Sequence, residues 1–181
     1  MNLSEFKAGK PVQRYQYKSF EPNKVDIDWQ IDNADLIMQL SEANLKLGEL
    51  NAFSQLIPDV DFFIKMHVFK EGTKSSKIEG TQTNIDEAIQ KEEYILPEKK
   101  DDWREVQNYV QAMNQAIDNL VSLPLSNRLL KQTHKTLLQG VRGKHKLPGE
   151  FRKSQNWIGG SSLTDATFIP PHQDQVGDLM A

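Results

Sequence analysis

The chain has 181 residues, a formal net charge of −3 and no cysteine. The length suits one ordinary domain or a small pair, and 38% hydrophobic with 26% charged residues supports a packed core. The charge gives no bulk pull toward nucleic acid or anionic membrane, and the absence of cysteine excludes disulfides and thiolate metal sites.

No apolar run approaches the roughly 18 residues of a membrane helix, and no apolar signal core follows Met1. A cytoplasmic protein is therefore the expectation. Residues 1–28 predict an arm packed on the body. Gly9-Lys10-Pro11 and Glu21-Pro22-Asn23 are turn signals, and Tyr15, Tyr17 and Phe20 give a short extended run between them. Arg14 and Lys18 among these aromatics suggest an RNA surface, but the chain is not basic enough overall, and an anchored arm fits better.

Apolar residues at three- and four-residue spacing predict a helix over 33–53. Leu36, Ile37, Leu40, Ala43, Leu47 and Leu50 form its inward stripe, with Asp32 or Asn33 as cap. Pro58 breaks it. A second helix follows over 59–79 on Phe62, Phe63, Met66, Phe69 and Ile78, weakened at Gly72 by about 1 kcal/mol relative to alanine. Gly80 suits its end, where a positive φ is cheap. Thr83-x-x-Asp86 resembles a capping box for a short third helix over 84–90. Pro97-Glu98-Lys99-Lys100 reads as a solvated linker.

A fourth helix is predicted over 101–120, with Trp103, Val106, Tyr109, Val110, Met113, Ile117 and Leu120 as its buried stripe. After a turn at Pro124 a fifth runs to Gln139, with Leu129, Leu130, Thr133, Leu137 and Leu138 inside. Beyond Gly140 the texture changes to glycines and β-type residues. Residues 150–158 and 166–169 predict a β-hairpin ended by Pro170-Pro171, and 173–180 begin another helix. A chain that stops one turn into a helix reads as part of a longer protein. The fold class is mainly α with one β-hairpin.

The four histidines are scattered with no helical pair, so no metal site is expected, and neither a G-x-S-x-G elbow nor a P-loop is present. Two constellations remain. The first is Ser75-x-x-x-Glu79-Gly80, where Ser75 and Glu79 share a helix face. Its acid either caps the helix or engages a cation on another element. The second is Gly149-x-Phe151-Arg152, then Trp157-Ile158-Gly159-Gly160, then Ala166-Thr167-Phe168-Ile169-Pro170-Pro171. It is either an ordinary surface hairpin or an open strand edge that binds extended peptide.

In this order the two constellations resemble the Fic family of protein adenylyltransferases, of the class II type whose inhibitory motif precedes the catalytic core. The continuation 81–88, TQTNIDEA, also fits that family. The resemblance implies a helical N-terminal domain over 1–98 with the inhibitory motif at 75–80. It also implies the start of a catalytic domain over 99–181 with a "flap" at 149–171. The whole enzyme would use ATP and Mg²⁺ to move AMP to a protein hydroxyl. Ser75, Glu79 and Gly80 would be regulatory, with Glu79 pairing an arginine that otherwise serves the nucleotide. Asn156, Trp157, Ile158 and Gly159 would dock the target protein, or the enzyme itself for self-modification.

The family's catalytic pattern, H-x-F-x-(D/E)-G-N-x-x-R and commonly H-P-F-x-D-G-N-G-R-x-x-R, is not in this chain. His67-Val68-Phe69-Lys70-Glu71-Gly72 copies its first six positions, but Thr73, Lys74 and Ser75 follow in place of Asn, Gly and Arg. No residue here is assigned a catalytic role, ATP and Mg²⁺ are not expected to bind well to this chain, and it is expected to be inactive alone. The alternative is a non-catalytic helical interaction module, dimeric through its apolar arm. Ranked last is a helix-turn-helix DNA binder built on 126–139, which the net charge disfavours.

Overall fold

The computed structural model describes residues 1–78, 80–140 and 146–180. In chain order its elements are β1 (Gly9–Gln13), β2 (Lys18–Pro22), α1 (Ala34–Ser54), α2 (Val60–Ile78), α3 (Ile85–Ala88), α4 (Lys100–Asn119), α5 (Asn127–Leu137) and α6 (Val176–Leu179). Short 3₁₀ turns lie at Leu3–Glu5, Glu92–Tyr94, Pro97–Lys99 and Gln173–Gln175. The chain is mainly α, with one two-stranded antiparallel hairpin among the described residues, β1 against β2. It forms two compact units, Met1–Pro58 with Arg152–Met180, and Asp59–Phe151.

The unit Asp59–Phe151 is a helical bundle centred on α4, which packs against α2, α3 and α5. Its core is Ala88, Ile95, Val106, Val110, Ala112 and Leu129, all buried. The i, i+4 pair Val106 and Val110 lies where the periodicity puts the inner face of α4. Trp103 and Tyr109 are half-buried beside it, while Met113, Ile117, Leu120 and Leu130 are exposed. Gly72 has a packing reason to interrupt α2. It is buried, and a Cβ there would stand 2.9 Å from Cδ1 of Tyr109. The missing side chain lets the α4 aromatic sit against the α2 backbone, which offsets the lost helix propensity.

In the other unit β1 and β2 pair Val12 with Ser19 and Pro11 with Phe20. β2 also reaches the C-terminal segment. The Phe20 N–H donates to the Ile169 carbonyl at 2.8 Å, and the Phe20 and Phe168 rings lie 5.8 Å apart. Ser19 and Ile169 are buried there. Arg14 ties the layers together, donating to Ser19 Oγ at 3.0 Å and to Gln175 Oε1 at 3.1 Å.

Several sequence expectations change. Asn33 caps α1 by accepting the Leu36 N–H at 3.0 Å, but no residue of α1 is buried. Leu40, Leu47 and Leu50 are 62%, 64% and 63% exposed, and Met38 and Leu45 on the opposite side are exposed too. Periodicity shows which side a partner would cover, not that a partner is in place. The capping box of α3 belongs to Asn84 and Glu87, one residue beyond the Thr83 expectation, because the Thr83 side chain is buried. Residues Pro97–Lys99 form a 3₁₀ turn that runs directly into α4.

The strands expected over 150–158 and 166–169 reduce to a single antiparallel bridge between Ile158 and Phe168. Side chains occupy carbonyls that a longer ladder would use. Arg152 donates to the carbonyls of Ser154 and Pro171, and Gln155 Nε2 donates to that of Pro170 at 3.2 Å. Pro170 and Pro171 have no N–H to offer, and the Ile169 carbonyl is taken by Phe20.

Candidate functional site

The first candidate stretch is the corner where α2 ends. Ser75 and Ser76 are half-buried, and Ile78 is exposed. The Gly80 N–H donates to the Lys77 carbonyl and the Thr81 N–H to the Ser76 carbonyl, both at 3.1 Å. These are the paired bonds of a Schellman motif, with Gly80 in the left-handed region at φ 99°. Gly80 thus does what the sequence assigns to it. Ser75 makes no side-chain hydrogen bond among the described residues, and Glu79 lies outside the described residues.

Both flanks of the corner are fastened to α4. On one side Gly72 receives the Tyr109 ring. On the other, the Gln82 N–H donates to Asp102 Oδ2 at 2.8 Å. Thr81 and Thr83, either side of Gln82, are buried, and neither hydroxyl has a hydrogen-bond partner among the described residues. Glu87 then accepts from Lys99 with one oxygen and from the Asn84 N–H with the other. The Lys99 hydrogen bond, followed by the Asn84 bond, holds the Glu87 carboxyl below its ordinary pKa.

The decoy His67-x-Phe69-x-Glu71-Gly72 lies wholly inside α2. His67 Nδ1 is 3.0 Å from the Phe63 carbonyl, and the helix continues past Gly72. No turn opens there to present backbone N–H groups to a phosphate.

The second candidate is the exposed loop around Asn156, Trp157, Ile158 and Gly159. The Ile158 N–H donates to the Phe168 carbonyl at 2.8 Å, and the Ile158 carbonyl accepts from Thr167 and Phe168. The Trp157 main chain makes no hydrogen bond among the described residues. Trp157 is 40% exposed and Ile158 63%. Gly159 and Gly160 follow at φ 70° and 72°. A Cβ on Gly159 would meet Thr167 Oγ1 at 2.4 Å, and one on Gly160 would meet the Asp165 carbonyl oxygen at 2.4 Å. Both conformation and space require glycine here.

Asp165 closes this turn, a role sequence reasoning missed. Its carboxylate accepts the N–H and hydroxyl of Ser161, both at 2.9 Å, and those of Ser162, both at 2.7 Å. These bonds, the Ser161 N–H first among them, hold the acid far below the usual carboxylate range. The pattern Ser161-Ser162-x-x-Asp165 was the available signal, since a short acid that follows two serines readily binds their amides. Also missed was the seat of Gly149, whose N–H donates to His134 Nδ1 at 2.9 Å.

Ser75 and Gly80 belong to one compact unit and Asn156 to Gly159 to the other. Among the described residues no cluster of His, Asp and Glu could hold a metal ion, and no helix is long and apolar enough to cross a membrane.

By fold this is a mainly helical chain with an exposed, glycine-turned loop. Residues 37–118 match the family model described as Fic/DOC family N-terminal, which supports a Fic-family N-terminal part in this chain. No curated protein matches it.

Proposed function

We propose that this chain is the regulatory and target-docking part of a protein adenylyltransferase, an enzyme that moves AMP from ATP to a protein hydroxyl. The observation that carries this reading is the Fic/DOC N-terminal match over 37–118. It contains Ser75 and Gly80, which bracket Glu79, and the corner there is braced on both sides. The catalytic motif is not in these 181 residues, so it, with ATP and Mg²⁺, is assigned to a segment outside them.

In this reading Glu79 withholds an arginine of the catalytic motif from the nucleotide. Each tenfold suppression needs only about 1.4 kcal/mol. Breaking a buried ion pair typically costs about 3–5 kcal/mol, so one carboxylate is sufficient in magnitude. The loop at Asn156 to Gly159 docks the target. Its free Trp157 main chain supports strand addition, which gives affinity with little sequence preference.

The test is labelling with radioactive ATP in a protein that joins this chain to a segment bearing the catalytic motif. Glu79→Gly is expected to raise self-labelling at least about tenfold. Unchanged labelling would remove Glu79 from the reading. The 181 residues alone are expected to transfer nothing.

A further inference from the structure

One face of α5 borders a hollow of about 610 Å³, whose opposite wall is formed by Pro148, Gly149, Glu150 and Phe151. The target-docking reading above does not use it. Arg128, Lys131 and Lys135 line its helical side at i, i+3 and i+7, so they share one face of α5. Three cations against the single carboxylate of Glu150 leave the hollow with a net of two positive charges.

The cations are not equivalent. Lys131 is committed, its Nζ lying 3.6 Å from Glu150 and 4.7 Å from the centre of the Phe151 ring. Arg128 and Lys135 are exposed and make no ion pair among the described residues. The opposite wall is fixed in place. The Gly149 N–H is held by His134 Nδ1, and Gly149 lies so close to the helix that a Cβ would meet the Lys131 carbonyl oxygen at 3.1 Å. A preformed hollow with two unspent cations asks for an anionic partner.

We propose that this hollow binds an acidic peptide segment, whose carboxylates meet Arg128 and Lys135 and whose apolar side chains rest on Pro148. Seven helical residues separate the two cations by about 10.5 Å along the axis. Acidic side chains three residues apart on a polyproline II peptide lie on one face about 9.3 Å apart, which matches. A nucleic acid fits less well. Two free cations neutralise about two phosphates, so counterion release would drive little nucleic-acid binding at this hollow. The Phe151 ring, which would stack a base, is already covered by the Lys131 ammonium.

The test is fluorescence polarisation of a labelled peptide of about a dozen residues with Glu at every third position, titrated with the full 181-residue chain. Saturable binding is expected, weakened at least about tenfold by Arg128→Glu with Lys135→Glu, and by raising salt from about 50 to about 300 mM. A Gln-for-Glu peptide is expected not to bind. Lys24→Glu with Lys65→Glu makes the same change in net charge at exposed positions elsewhere, and is expected to bind as the unaltered chain does. Circular dichroism confirms that both variants keep their helix content. No saturable binding, or equal loss in the Lys24/Lys65 variant, overturns the proposal. So does tighter binding of a single-stranded oligonucleotide through the same two cations, which would assign the hollow to nucleic acid.

Discussion

At the scale of single residues, Asp165 determines the most. One carboxylate satisfies two amides and two hydroxyls, and so fixes the turn that presents Trp157 and Ile158. Its acid is held below its ordinary value in the folded chain. A depressed carboxyl stabilises the fold at any pH above its unfolded pKa and loses that contribution as pH falls through the folded one. The turn is therefore expected to keep constant amide protection from neutral pH down to about 4, and to lose it only in stronger acid. Asp165→Ala is expected to remove the protection of the Ser161 and Ser162 amides already at neutral pH. Hydrogen exchange followed by NMR measures both, and unchanged protection factors in the variant would show that the glycines alone hold the turn.

At the scale of elements, α2 shows how much was legible in the sequence and how much was not. Its span, its end and the left-handed residue after that end all follow from spacing and from Gly80. A Cβ on Gly80 meets nothing within 4 Å, so a substitution there tests the backbone conformation alone. Gly80→Ala is expected to lower stability by about 1–2 kcal/mol and Gly80→Asn by less, since asparagine tolerates the left-handed region. Urea denaturation measures the difference, and equal losses would mean that the φ of Gly80 is not what ends α2. The reason for Gly72 was not legible, because it lies in Tyr109, a residue 37 positions on in another helix. The loop at 150–169 failed in a similar way. Its β-type residues do lie across from one another at Ile158 and Phe168, but local propensity could not foresee that Arg152, Gln155 and Phe20 would take the neighbouring carbonyls.

At the scale of the whole chain, the two compact units differ in what holds them. Among the described residues, the bundle has six buried apolar ones, whereas Ile169 and Ser19 are those buried in the other unit. Units with separate cores need not unfold in one step. The tryptophans report on them separately: Trp103 lies in the bundle, and Trp29 and Trp157 in the other unit. Two variants divide the signal, Trp103→Phe leaving one unit visible and Trp29→Phe with Trp157→Phe the other. In urea, Trp29 and Trp157 are expected to change at lower denaturant than Trp103. Coincident transitions would show one cooperative structure. The sequence foresaw the helices of both units, but their grouping rests on pairings that join the two ends of the chain, and no local pattern encodes those.

Those end-to-end pairings impose an order on synthesis. The bond from Arg14 to Gln175 spans 161 positions, so β1 and β2 wait for that support until the segment around residue 175 has left the ribosome. Contacts between neighbouring helices close much shorter loops and form earlier. During that wait the edge of β2 that later accepts Ile169 is open, and an open strand edge pairs with whatever extended chain it meets. The hairpin is thus the segment of these two units most open to mispairing in the nascent protein, and it has the most need of a chaperone.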